Sequence, residues 1–358
     1  MTLSSPNKID GLFNILVSND GSDLHLSEGQ PPKIRKHGDI SAIRQEPLTR
    51  SELDTLLSEI CLPKRWNHFL ETGDLDFAYE MDEDSRFRCN YHKHLNGYGA
   101  IFRLIPNRIK TLRELNLPGI IQTFGDIHSG LVLVTGPTGS GKSTTLAAIM
   151  DYINTTYAKH IVTIEEPIEF VHHNRNSIIT QREVPNDTTT FFDGLKAALR
   201  EDADVILVGE LRDLETISLA LTAAETGVLV FATLHTNNAR KTIDRIIDAY
   251  PADEQELVRT MLSTSLRGVV AQLLMRTRDG KGRVAVNEIM KANAAVSAII
   301  REGSTVKLQD TIKTGKQEGM QLMDDAIDEL LKKGIISGHE AYMKSIDKSR
   351  FAHVIDQR

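Results

Sequence analysis

Leu131-Val-Leu-Val-Thr-Gly-Pro-Thr-Gly-Ser-Gly-Lys-Ser-Thr144 is the stretch that decides the fold of this 358-residue chain. Four apolar residues, Leu131 to Val134, have the pattern of a strand buried on both faces, and Ser143-Thr-Thr-Leu-Ala-Ala-Ile-Met150 forms helix readily. Between them lies G-x-x-x-x-G-K-S, the spacing of a phosphate-binding loop. Gly136, Gly139 and Gly141 let the backbone curl until consecutive N–H groups face one anion, with a helix N-terminus behind them. The expected binding set is Gly136, Pro137, Thr138, Gly139, Ser140, Gly141, Lys142, Ser143 and Thr144. Lys142 would neutralise β- and γ-phosphates, and Ser143 would offer its hydroxyl to Mg²⁺.

Downstream, helix and strand alternate, as a parallel α/β sheet requires. Ile161-Val-Thr-Ile164 runs into Glu165-Glu166-Pro167, Val205-Ile-Leu-Val208 into Gly209-Glu210, and Val228-Leu-Val-Phe-Ala232 into Thr233-Leu-His235. Each run thus carries a carboxylate or imidazole at its C-terminal end, where open α/β sheets bind ligands. Phosphoryl transfer needs the phosphates held, their charge neutralised and a water aligned. Glu210 is the candidate to orient the water, Glu165 or Glu166 to hold or tune Mg²⁺ through water, and His235 to contact the γ-phosphate. Helices are expected over Thr190 to Arg200, Leu214 to Thr226, Asp253 to Met275 and Met320 to Lys333.

Upstream, Ile9, Leu12, Phe13 and Leu16 recur at helical spacing, and Ser51 to Ile60 carries Leu53, Leu56, Leu57 and Ile60 on one face. Ser22 to Leu26, Pro32 to Arg35, Leu75 to Tyr79 and Ser85 to Tyr91 have the character of strands. The expected organisation is a small α+β domain over 1–105, an interdomain linker over 106–118 bracketed by Pro106 and Pro118, and an α/β domain over 119–358.

Composition narrows the function. No apolar run reaches the length of a membrane helix and Met1 to Gln30 has no signal-peptide core, which predicts a cytosolic protein. A formal net charge of -7 and only 5% aromatic residues disfavour direct nucleic-acid binding. Cys61 and Cys89, the two cysteines, have no paired metal-site spacing and are expected to be buried or incidental thiols.

Several motifs together resemble the secretion-superfamily ATPases, and most closely their type IV pilus retraction branch. They are Gly136 to Thr144, Ile164-Glu-Glu-Pro-Ile-Glu169, Ala198 to Asp213, and Thr233-Leu-His-Thr236 followed by Lys241-Thr-Ile-Asp-Arg245. Gly21 to Leu26, Arg86 to Asn90, Phe102 to Pro106 and Glu318 to Gln321 extend the likeness over nearly the whole chain. The resemblance implies a PAS-like N-terminal domain, a RecA-like ATPase domain, a cytoplasmic homo-hexamer at the inner-membrane pilus base, and ATP with Mg²⁺ as ligands. It implies pilus retraction as the work done, an inner-membrane platform protein as partner and a related ATPase as a possible companion. Glu210 then acts as catalytic glutamate, and Arg88 and Arg103 reach nucleotide from a neighbouring domain. The alternatives are an accessory retraction or other secretion-system ATPase, and a RecA-like nucleic-acid translocase. Assembly and type II secretion ATPases usually carry a four-cysteine zinc insert that two cysteines cannot build. The chain departs from the family at Val228, where a second histidine is common, at Glu166, where aspartate is usual, and over Ala295 to Glu302, a motif tied to retraction.

Overall fold

The computed structural model describes residues 7–36, 39–82, 85–106 and 108–355. Residues 1–6 of the expected first domain and residue 107 of the expected linker lie outside that set. The chain divides into two compact units, Met1–Arg108 and Ile109–Arg358.

The first unit is a PAS-like antiparallel sheet with helices on one face. Its strands are β1 (Asp23–Ser27), β2 (Lys33–Lys36), β3 (Asp39–Ala42), β4 (Asp74–Asp82), β5 (Ser85–His94) and β6 (Gly97–Pro106), in the order β3-β2-β1-β6-β5-β4. β5 alternates strictly, so Phe87, Cys89 and Tyr91 enter the core while Arg86, Arg88 and Asn90 take the other face. Helix Lys8–Ser18 sends Ile9, Phe13 and Leu16 into the same core, and Phe13 stacks on Phe87 with ring centroids 4.0 Å apart. Both cysteines are buried there, without a disulfide.

The second unit is RecA-like. A seven-stranded sheet is formed by β7 (Gly130–Thr135), β8 (His160–Glu165), β9 (Ile178–Glu183), β10 (Val205–Val208), β11 (Leu229–Leu234), β12 (Leu266–Arg276) and β13 (Arg283–Lys291). The order is β13-β12-β7-β11-β10-β8-β9, with every pair parallel except β12–β13. All six residues of β7 and of β11 are buried, which explains their unbroken apolar sequence. Helix Lys142–Thr156 follows β7 and buries Leu146, Ile149, Met150 and Ile153, each such side chain contributing about 1.5–3 kcal/mol of burial.

Two expectations change. The helix expected over Asp253 to Met275 stops at Ser265, and Leu266–Arg276 is strand. Because β12 lies between β7 and β13 with both faces largely covered, it lacks the alternation that marks a half-exposed strand. Gly268 is the local requirement, since a Cβ there would stand 2.3 Å from the Phe124 ring. The stretch 106–118, expected as linker, carries Leu112 at 7% exposure in a core cluster of the second unit beside Leu115 and Leu117. Most of it therefore packs with that unit rather than spanning freely.

Candidate functional site

The turn after β7 is shaped by three left-handed glycines, with φ of 145° at Gly136, 76° at Gly139 and 85° at Gly141. Gly141 is the N-cap of helix Lys142–Thr156, so the N-terminal N–H groups of the helix open onto the turn. Pro137, Thr138 and Gly139 are exposed at its tip, while Ser140 is buried. The Lys142 ammonium donates to the Gly136 carbonyl at 2.9 Å and the Pro137 carbonyl at 3.3 Å, bracing the loop from inside. Burial pulls its pKa below the usual lysine range, against the opposing pull of Glu210 and Glu169.

Parallel pairing brings the C-terminal ends of the neighbouring strands to the same edge. One cleft is lined by Thr138, Gly139, Lys142, Ser143, Glu165, Glu166, Glu169, Glu210, Arg212, Thr233 and His235. Glu165 ends β8, and its Oε1 accepts from the Thr163 hydroxyl at 2.7 Å and the Gln181 amide at 3.2 Å. Burial pushes its carboxyl up to about 7 despite those two donors. Glu210, two residues beyond β10, is held on both oxygens: Oε2 accepts from Arg212 Nε at 2.9 Å, and Oε1 lies 2.9 Å from His235 Nε2. The Thr233 hydroxyl donates to the Gly209 carbonyl and ties the Glu210 turn to the end of β11.

Arg212 is a charged cleft residue to which sequence reasoning gave no role. Its Nη1 donates to Glu166 while its Nε serves Glu210, so one guanidinium links two of the expected acidic residues. Burial works to lower its pKa, and the bonds to Glu210 and Glu166 outweigh that and raise it. A cation two residues after a strand-end glutamate has the look of a surface ion pair, and only the fold brings Glu166 within its reach.

The cleft offers oxygen donors, Ser143 and the carboxylates, which suit a hard cation such as Mg²⁺. Among the described residues no three His, Cys, Asp or Glu side chains are arranged to hold a metal. An ion here would complete its shell with phosphate oxygens and water, as Mg²⁺ does at nucleotide sites.

Arg88 and Arg103 lie in the first unit, directly opposite each other on β5 and β6. Arg103 Nε donates to Asp23 Oδ1 at 2.8 Å, and Arg88 Nε lies 4.0 Å from Asp76 Oδ1. Like charges facing across a strand pair repel, and Asp23, itself 3% exposed, offsets this at Arg103. Val228 precedes β11, whereas His235 follows it. Seven residues of extended chain put them about 20 Å apart, at opposite ends of the strand. The difference at 228 therefore leaves this cleft untouched.

The model of the type II/IV secretion system protein family matches residues 120–343. Among curated proteins, the type IV pilus retraction ATPase PilT of Pseudomonas aeruginosa is 49% identical over 94% of this chain and 98% of its own length. A twitching motility protein of Neisseria gonorrhoeae is 48% identical over 87% of this chain and 83% of its own. Among solved structures, the pilus retraction motor PilT with bound ADP superposes with a TM-score of 0.89 at 40% identity, covering 97% of this chain and 99% of that one. With a family model over most of its second unit and relatives matched nearly end to end, the chain belongs to the type II/IV secretion system proteins, in the PilT group of retraction ATPases.

Proposed function

We propose that this chain is the subunit of a hexameric motor that hydrolyses ATP to power type IV pilus retraction. The observation that carries this reading is the meeting of the phosphate loop, the acidic box, Glu210 and His235 in one cleft, in a chain that matches a named retraction ATPase over 98% of that protein's length. Gly136 to Thr144 hold the triphosphate, and Lys142 exchanges its loop carbonyls for phosphate oxygens. The Ser143 hydroxyl, with Glu166 acting through water, would hold Mg²⁺, which would supply neutralisation of phosphate charge. Glu210 orients the attacking water and accepts its proton, with Glu165 assisting. His235, whose Nε2 lies 2.9 Å from Glu210 Oε1, contacts the γ-phosphate in this reading and registers whether it is present. Arg88 and Arg103 complete the site from a neighbouring subunit, supplying cations where transition-state charge develops.

The partners in this reading are identical subunits and an inner-membrane platform protein, at the cytoplasmic face of the pilus base, with a related ATPase as a possible companion. No described helix is long and apolar enough to cross a membrane, and the net charge of -7 favours no nucleic-acid partner. The test is genetic. Deleting the gene in the source organism should abolish twitching while leaving pili on the surface. The parent gene should restore motility and Lys142→Ala should not. Normal twitching in the deletion strain, in the absence of a second retraction ATPase gene, would refute the pilus role.

A further inference from the structure

Gln272 is a polar residue in the apolar run of β12, and it is 2% exposed. Its strand flanks β7 on the side away from β11, so Gln272 approaches the phosphate loop from behind, opposite the cleft residues already described. Its Nε2 donates to the Ser140 carbonyl at 2.7 Å. Its Oε1 accepts from the Thr145 hydroxyl at 2.8 Å and from Asn287 Nδ2 at 2.9 Å. Thr145 and Asn287 are buried as well. The Ser140 carbonyl can only accept, so an amide flip would set acceptor against acceptor, and the orientation of Gln272 is fixed.

That orientation has a consequence in the loop. The Ser140 carbonyl and the Gly141 N–H belong to one planar peptide and point in opposite directions across it. Holding the carbonyl toward Gln272 aims the Gly141 N–H away from β12, to the side where an anion would sit. The loop's glycines are fitted to the same residue. A Cβ on Gly136 would stand 2.2 Å from the backbone oxygen of Gln272, and one on Gly141 would stand 2.9 Å from the Gln272 side-chain Nε2. The backbone carbonyl of Asn287 in turn accepts from Gln321 Nε2 at 2.7 Å, just ahead of helix Met323–Lys332.

We propose that Gln272 is a positioning residue for nucleotide binding: it sets the peptide plane at Ser140–Gly141 and is itself locked by Thr145 and Asn287. It acts through the loop and touches no nucleotide atom. The proposal rests on the reading of Gly136 to Thr144 as the nucleotide loop.

The test is the affinity of the full-length chain for N-methylanthraniloyl-ADP, with thermal melting and light scattering run on the same samples. Gln272→Met, of similar volume, removes all three bonds and should weaken binding by about tenfold or more. Thr145→Val removes one donor at nearly constant shape and should weaken it by about threefold to tenfold, while Thr145→Ser keeps the donor and stays within about twofold of the parent. The Thr145 pair carries the test should Gln272→Met fail to fold. A folded Gln272→Met with parental affinity, or Thr145→Ser weakened as much as Thr145→Val, would overturn the proposal. Lack of binding by the parent would overturn the nucleotide-loop reading as well, whereas parental binding with unchanged variants removes only the role of Gln272.

Discussion

Glu210→Gln separates chemistry from binding in this cleft. The carboxylate accepts from Arg212 Nε through one oxygen and meets His235 Nε2 through the other. A glutamine can keep both contacts, its amide oxygen accepting from Arg212 and its NH₂ donating to the imidazole nitrogen. Arg212 loses a charged partner and retains Glu166; since its side chain is 52% exposed, the loss in stability should stay below about 1 kcal/mol. Nucleotide affinity should therefore remain within about threefold of the parent, a shift of less than about 0.7 kcal/mol. The amide, however, cannot accept a proton from water. Removal of a general base typically lowers turnover by about 100-fold to 10,000-fold, and the loss should fall on kcat rather than KM. Steady-state phosphate release, paired with titration of a fluorescent ADP, measures both quantities. A Glu210→Gln protein that hydrolyses ATP within about threefold of the parental kcat would refute the assignment.

The remaining predictions use other parts of the molecule. His235→Ala should leave ATP binding largely intact while hydrolysis no longer drives retraction, and loss of nucleotide binding itself would mean a structural role. Subunits carrying Arg88→Ala with Arg103→Ala, and subunits carrying Lys142→Ala, should each be defective alone and regain activity when mixed, because an intact arginine pair then meets an intact loop. No rescue despite demonstrated co-assembly would count against completion in trans. His172 is 9% exposed, and its Nδ1 has no hydrogen-bond partner among the described residues. Burial, aided by His173 and Arg175, lowers its pKa from 6.5 to about 4. The fold thus favours the neutral ring, and the stability it contributes is present above pH 6.5 and lost as the pH falls through 4. Urea unfolding at pH 7 and pH 4 should show the parent losing about 3 kcal/mol more than His172→Gln, and equal losses would exclude this origin.

The sequence made the phosphate loop and the strand ends legible because each is a local pattern. Glycines at fixed spacing have little other use between a buried strand and a helix, and unbroken apolar runs ending in Glu165, Glu210 and His235 place polar groups where a parallel sheet gathers them. Long-range pairing was not legible. β12 has the apolar content of a buried helix, and only its position between β7 and β13 makes it a strand. Gln272 looks like a single polar interruption until Ser140, Thr145 and Asn287 surround it. Arg212 carries no mark in sequence that it spans Glu166 and Glu210. The importance attached to Val228 came from the family resemblance, and the strand between it and His235 separates the two positions.

The measurement that tests the central claim most directly is Mg²⁺-dependent phosphate release from ATP by the purified full-length chain, compared with Lys142→Ala at the same subunit concentration and oligomeric state. The account predicts release by the parent that stops when Mg²⁺ is chelated, and a loss of about 100-fold or more in the variant, because Lys142 is the loop's own cation for phosphate charge. Equal rates from parent and variant, or release indifferent to Mg²⁺, would contradict it.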